Sequence, residues 1–66
     1  MLYVWRNNDT YLPHSDLVLQ YGKTYDITSI KGHVGDMFMI KDPETGEEAH
    51  MRYPTLSKFR RDWRAV

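Results

Sequence analysis

The chain has no cysteine. No disulfide can therefore reinforce the fold, and no thiolate zinc site can form. That lack fits a reducing compartment, so a cytoplasmic location is expected. There is also no apolar run near the ~20 residues that a membrane-spanning helix requires. The opening MLYVWRNND lacks the basic-then-apolar order of a signal peptide. Linkers, repeats and low-complexity tracts are missing, and so is a surplus of charge: nine Lys and Arg balance nine Asp and Glu. Zero net charge lowers the expectation of a dedicated nucleic-acid binder and argues against a DNA mimic, which needs sustained negative charge.

Motifs that would name a reaction are lacking too. Ser15, Ser29 or Ser57 could be combined with His14, His33 or His50 as nucleophile and base, but no flanking pattern supports any pair. His33 and Asp36 stand three apart, a spacing that suits metal on a helix, yet Gly32 and Gly35 argue against a helix there and two ligands make a poor site. The expectation is a protein that is not an enzyme, with no cofactor and no metal.

What the sequence does have is aromatic rings and an uneven distribution of charge. The 66 residues form one domain, 1–66, and a chain of this size buries only about 60 % of its unfolded surface. Its two Trp, five Tyr and two Phe are the main core-building material. From Met1 to His50 there are four basic and eight acidic residues, net −4; from Met51 to Val66 there are five basic and one acidic, net +4. Either the two ends pair in the fold or one end carries a charged contact surface.

Leu2 to Arg6, LYVWR, reads as a first strand. The segment TYLPHSD is irregular, because Pro13 lacks a donor and its polar neighbours favour turns. Tyr25 and Ile27 alternate with Thr24, Asp26 and Thr28, the period of a strand, and Ser29-Ile30 break the phase as a bulge or strand end would. KGHVGD, with two glycines, reads as a loop. Met37 to Ile40 form a strand apolar on both faces, Met37 and Met39 on one side, Phe38 and Ile40 on the other. Pro43 and Gly46 mark a tight turn, after which Ala49, Met51 and Tyr53 face inward and His50 and Arg52 face water. A strand greasy on both faces suits the bent centre of a small closed or nearly closed barrel.

The tail TLSKFRRDWRAV has another period. Leu56, Phe59, Trp63 and Val66 lie on one side of a helix, with Thr55 as N-cap and Lys58, Arg60, Arg61 and Arg64 over much of the rest. A basic C-terminal helical segment is expected over 55–66. A strand with Phe59, Arg61, Trp63 and Ala65 on one side is the alternative; it would bury an arginine.

This order of strand, long loop, DLVLQYGKTYDI, glycine loop, hairpin and YP before a short helix resembles an SH3-like small barrel of the type found in bacterial and phage proteins. The resemblance covers most of the chain. It implies a mainly β fold, a small SH3-like barrel of about five antiparallel strands with a short C-terminal helix. Asp9 and Asp16 would lie in the long loop, and Gly22-Lys23 would form the diverging step. Tyr3, Trp5 and Pro54 match positions of the family's proline-peptide groove, whereas the tryptophan the family places near Met37 and Phe38 is missing.

A small aromatic-rich barrel without catalytic signature points to protein binding: an adaptor or inhibitor of phage or prophage type, docking on a larger host protein. Its expected anchors are Trp5, Tyr11, Phe38, Arg60, Arg61, Trp63 and Arg64, with Trp5 and Phe38 alternatively in the core. A second copy of the chain is another potential partner. The alternative function is nucleic-acid binding through KFRRDWR, where cations alternate with rings, although the helical spacing of Phe59 and Trp63 favours their packing on the sheet.

Overall fold

The computed structural model describes residues 1–13, 15–30 and 36–66. The candidate residues His14 and His33, and most of the expected KGHVGD loop, lie outside them. The fold is mainly β. Its elements are β1 (Leu2–Trp5), β2 (Thr10–Tyr11), β3 (Val18–Leu19), β4 (Thr24–Ile30), β5 (Asp36–Lys41), β6 (Glu48–Tyr53), α1 (Leu56–Asp62) and β7 (Trp63–Ala65). Five strands form one antiparallel sheet in the order β6-β5-β4-β1-β7, and β2 and β3 form a separate two-stranded ribbon. The strands β6 and β7 stand at the two ends of that order, and among the described residues no pairing joins them.

The doubly apolar β5 sits between β4 and β6 and divides its side chains as the period of 2 demands. Phe38 and Ile40 enter the core, and Met37 and Met39 lie half-buried on the opposite face. On β6, Ala49 and Tyr53 are buried and Met51 half-buried, while His50 and Arg52 are exposed. The phase of β4 does not break at Ser29: Ser29 stands opposite Phe38 and Ile30 opposite Met37 in unbroken register. Ile30 therefore joins the methionines on the outer face; the register holds no bulge, and of the two expectations the strand end fits, since β4 closes at Ile30.

The β5–β6 turn is held at Asp42. Its carbonyl accepts from the Gly46 N–H at 2.8 Å, its N–H donates to the Glu47 carbonyl at 2.9 Å, and its Oδ1 accepts from the Glu44 N–H at 2.8 Å. Gly46 has φ +80°, a conformation that a side chain would strain. The segment read as irregular, TYLPHSD, opens with β2, which pairs with β3 in the apolar piece that follows it. Leu12, Leu17 and Leu19 are buried, and the Tyr25 hydroxyl links the ribbon to the sheet by donating to the Val18 carbonyl and accepting from the Gln20 N–H.

The tail combines the two periods considered for it. Thr55 Oγ1 caps the helix by accepting from the Lys58 N–H. The helix ends at Asp62, and Trp63–Ala65 turn into a strand paired with β1, Trp5 opposite Trp63 and Val4 opposite Arg64. The expected short C-terminal helix is present, and only its reach is corrected: within 55–66, seven helical residues are followed by a strand. The cause is the core: Phe59 reaches it from the helix, and Trp63 reaches it from β7 to meet Trp5 at 4.9 Å between ring centres. Leu56 and Val66, expected on the buried side, are exposed. Phe59 stacks on Phe38 at 4.3 Å and meets Tyr3 and Tyr53 edge-on.

Candidate functional site

The core aromatics are closed to a partner. Trp5, Phe38 and Trp63, three of the seven expected anchors, belong to the buried cluster, Trp63 with only 2 % of its surface exposed. Their placement corrects the expectation of surface anchors, since burying such rings inside stabilises a small fold more than leaving them for a contact. The other four, Tyr11, Arg60, Arg61 and Arg64, are exposed. Tyr11 stands opposite Val18 on the outer face of the ribbon, and Val18 is exposed as well.

Four exposed arginines, Arg6, Arg60, Arg61 and Arg64, belong to the segments where β1, α1 and β7 meet, whereas the exposed Lys41 and Arg52 stand on β5 and β6. Arg60 and Arg61 occupy the last turn of α1, where the negative end of the helix dipole favours cations. Arg64 stands opposite Val4 on β7. The backbone N–H of Arg6, just past β1, donates to the Asp62 carbonyl at 2.8 Å, which pins Arg6 to the helix C-terminus. Arg6 and Arg64, with Val4, Trp5, Tyr21 and Gly22, line an open cleft of about 430 Å³. Tyr21 was not among the expected anchors; the signal for it was an aromatic directly before the glycine of a turn, a place where a ring has no core to enter.

Asp62 is the only acid of the basic segment, and its carboxylate is occupied. Its Oδ1 accepts from Asn7 Nδ2 at 3.2 Å and its Oδ2 from the Tyr53 hydroxyl at 2.9 Å, and that hydroxyl accepts from Trp63 Nε1 at 3.0 Å. Burial, reinforced by the hydrogen bond to Asp62, pushes the Tyr53 phenol above its ordinary 10.0. Among the described residues, the ion pairs join the N-terminal amine to Asp26 and Lys23 to Asp42 and Glu44; none involves Arg6, Lys58, Arg60, Arg61 or Arg64. The two halves of the charge distribution thus do not neutralise each other through these arginines.

The acidic end contrasts with this. Lys23 Nζ lies 2.8 Å from Asp42 Oδ2 and 5.7 Å from the centre of the Tyr25 ring. The hydrogen bond from Lys23 holds the buried Asp42 carboxyl below its ordinary 3.8, and the same bond raises Lys23 above 10.5.

Among the described residues no group of three or more His, Asp or Glu could hold a metal ion, and no helix is long and apolar enough to cross a membrane. No family model, curated protein or solved structure matches the chain.

Proposed function

We propose that this chain is a non-enzymatic protein-binding module, an SH3-like small barrel of bacterial or phage type that docks as an adaptor or inhibitor on a larger protein. The order of elements supports the barrel reading: a strand, a ribbon-bearing loop, a strand, a hairpin, a short helix and a closing strand paired back to the first. One observation carries the docking reading. Arg6, Arg60, Arg61 and Arg64 lie exposed around one end of the sheet beside an exposed tyrosine, with no carboxylate pairing their side chains among the described residues. Arginine and tyrosine are the residue types enriched at interface centres, and unpaired like charges gain nothing for the fold by being together. The partner surface is acidic.

Nucleic acid is the second reading, and the same unpaired cations favour it. Against it, Phe59 and Trp63, the rings interleaved with those cations, are buried and cannot stack on bases.

Affinity purification from bacterial lysate at low salt, followed by mass spectrometry, tests the docking reading. The expected result is one protein retained in stoichiometric amount and lost with Arg60→Ala/Arg61→Ala. Recovery of no protein at that level would refute it; recovery of nuclease-sensitive material alone would favour the second reading.

A further inference from the structure

The cleft between β7 and the Tyr21–Gly22 turn combines a hydrogen-bonded turn with an exposed ring. Tyr21 is 72 % exposed, yet its backbone is fixed. The Tyr21 N–H donates to Asp9 Oδ1 at 2.9 Å, the Gly22 N–H to the Trp5 carbonyl at 2.9 Å, and the Lys23 N–H to the Gln20 carbonyl at 3.0 Å. Gly22 holds φ +80°, and a Cβ added there would meet nothing within 4 Å, so the cleft is open beside the ring. The turn thus presents an aromatic side chain to water on a rigid base. Arg6, Arg64, Val4 and the largely buried Trp5 complete the lining. The lining contains no carboxylate, and Asp9 close by is engaged by the turn's own backbone.

Resting on the docking reading above, we propose that this cleft is its recognition site, and that its occupant is an extended acidic peptide segment of the partner protein. One carboxylate is held between Arg6 and Arg64, and a neighbouring apolar side chain packs between Tyr21 and Val4. A guanidinium fork matches a carboxylate with two parallel hydrogen bonds, which fixes orientation as well as charge. The tyrosine ring supplies apolar contact area with little loss of side-chain freedom. Arg60 and Arg61, on the adjoining helix end, extend the positive field beyond the cleft and draw in further acidic residues. Charge complementarity and the one exposed ring in the cleft lining favour a peptide over a nucleic-acid strand, which would call for a series of stacking surfaces along the site.

Fluorescence anisotropy with the intact chain tests this. The probes are short labelled peptides in which acidic residues flank a central leucine or tyrosine, their lysine-substituted counterparts, and single-stranded oligothymidylate. Saturable binding is expected for the acidic peptides only. Arg6→Ala/Arg64→Ala should weaken it by ~10-fold or more, Tyr21→Ala by ~10-fold, and the exposed control Lys41→Ala/Arg52→Ala should leave it unchanged. The cleft assignment is overturned if no acidic peptide saturates by ~1 mM, if the Arg6/Arg64 variant binds as the parent does, or if oligothymidylate binds more tightly than any peptide. Lysate capture separates the two claims. If the parent retains a protein and the Arg6/Arg64 variant retains it equally, docking stands and the cleft is wrong. If the parent retains none, both fall.

Discussion

The β5–β6 turn and the α1–β7 end treat charge in opposite ways. At the turn, one carboxylate, Asp42, is buried and meets Lys23 Nζ, the Glu44 N–H and the field of a Tyr25 ring through Lys23. The Glu44 bond helps to set where the hairpin reverses, and the Lys23 bond ties the turn to the start of β4. At the α1–β7 end, the single acid is occupied by uncharged donors, and the arginines project into water. The difference separates charges that shape the fold from charges that the fold merely carries. In the first region the side chains and the backbone would suffer together from a substitution; in the second, the aromatic core beneath does the holding and the cations above it are left for a partner.

Substitutions can break that distinction if it is wrong, and the largest expected effect lies under the arginines. Trp63→Ala removes the ring that meets Trp5, Tyr25 and Phe59 and should cost about 3–5 kcal/mol. A core of this size rarely supplies more than ~3–5 kcal/mol, so the variant should be largely unfolded by circular dichroism. At the turn, Asp42→Ala leaves the Glu44 N–H without its acceptor and Lys23 without its main partner, and should lower the urea unfolding free energy by about 1–3 kcal/mol. A comparable loss of about 1–3 kcal/mol is expected for Tyr53→Phe, which strands the buried Trp63 Nε1 and takes a donor from Asp62. Thr55→Ala, which uncaps α1, should cost ~1 kcal/mol in the same assay.

The pH dependence sharpens the same contrast, because among the described residues the shifted groups are Lys23, Tyr25, Asp42 and Tyr53, and none is an arginine of the α1–β7 end. Asp42 titrates below its ordinary value when folded, so its contribution is present above 3.8 and is lost as the pH falls through the depressed folded value. Lys23 is shifted upward by Asp42, and its contribution is present below 10.5 and lost as the pH rises through the raised value. Burial raises Tyr53 and Tyr25, whose contributions are complete below 10.0 and decline as the pH climbs toward their folded values. These four groups should therefore make the urea midpoint fall on the acid side and on the alkaline side. Asp42→Asn should flatten the acid limb without removing the alkaline decline from the tyrosines.

Much of this arrangement was legible in the chain, for local reasons. Alternation along Ala49, Met51 and Tyr53 gave a strand its inner face, Pro43 and Gly46 gave the reversal, and Thr55 gave the helix its start. These signals act within a few residues. The end of the helix was not legible, because Phe59 and Trp63 fit a helical period while Trp63 and Ala65 also fit a strand. Only the long-range pairing of Trp63 with Trp5 decides between them. The same limit applied to the ribbon, whose short strands depend on Tyr25 reaching across to Val18 and Gln20. At the candidate site, the basic tail was visible as composition, but Arg6 and Tyr21 were not linked to it. Arg6 joins through a backbone hydrogen bond to Asp62, and Tyr21 through a turn that closes on Trp5, contacts spanning much of the chain. Trp5, Phe38 and Trp63 looked equally suited to a core or to a contact, since the same chemistry serves both.

The urea unfolding free energy of Arg60→Ala/Arg61→Ala/Arg64→Ala puts the division of labour to its most direct test. If these cations are surplus to the fold, the triple variant should stay within ~1 kcal/mol of the parent, the lost helix-dipole attraction being offset by relief of like-charge repulsion. A loss of about 3 kcal/mol or more would mean that the arginines are structural, and would contradict the assignment of this end of the molecule to a partner.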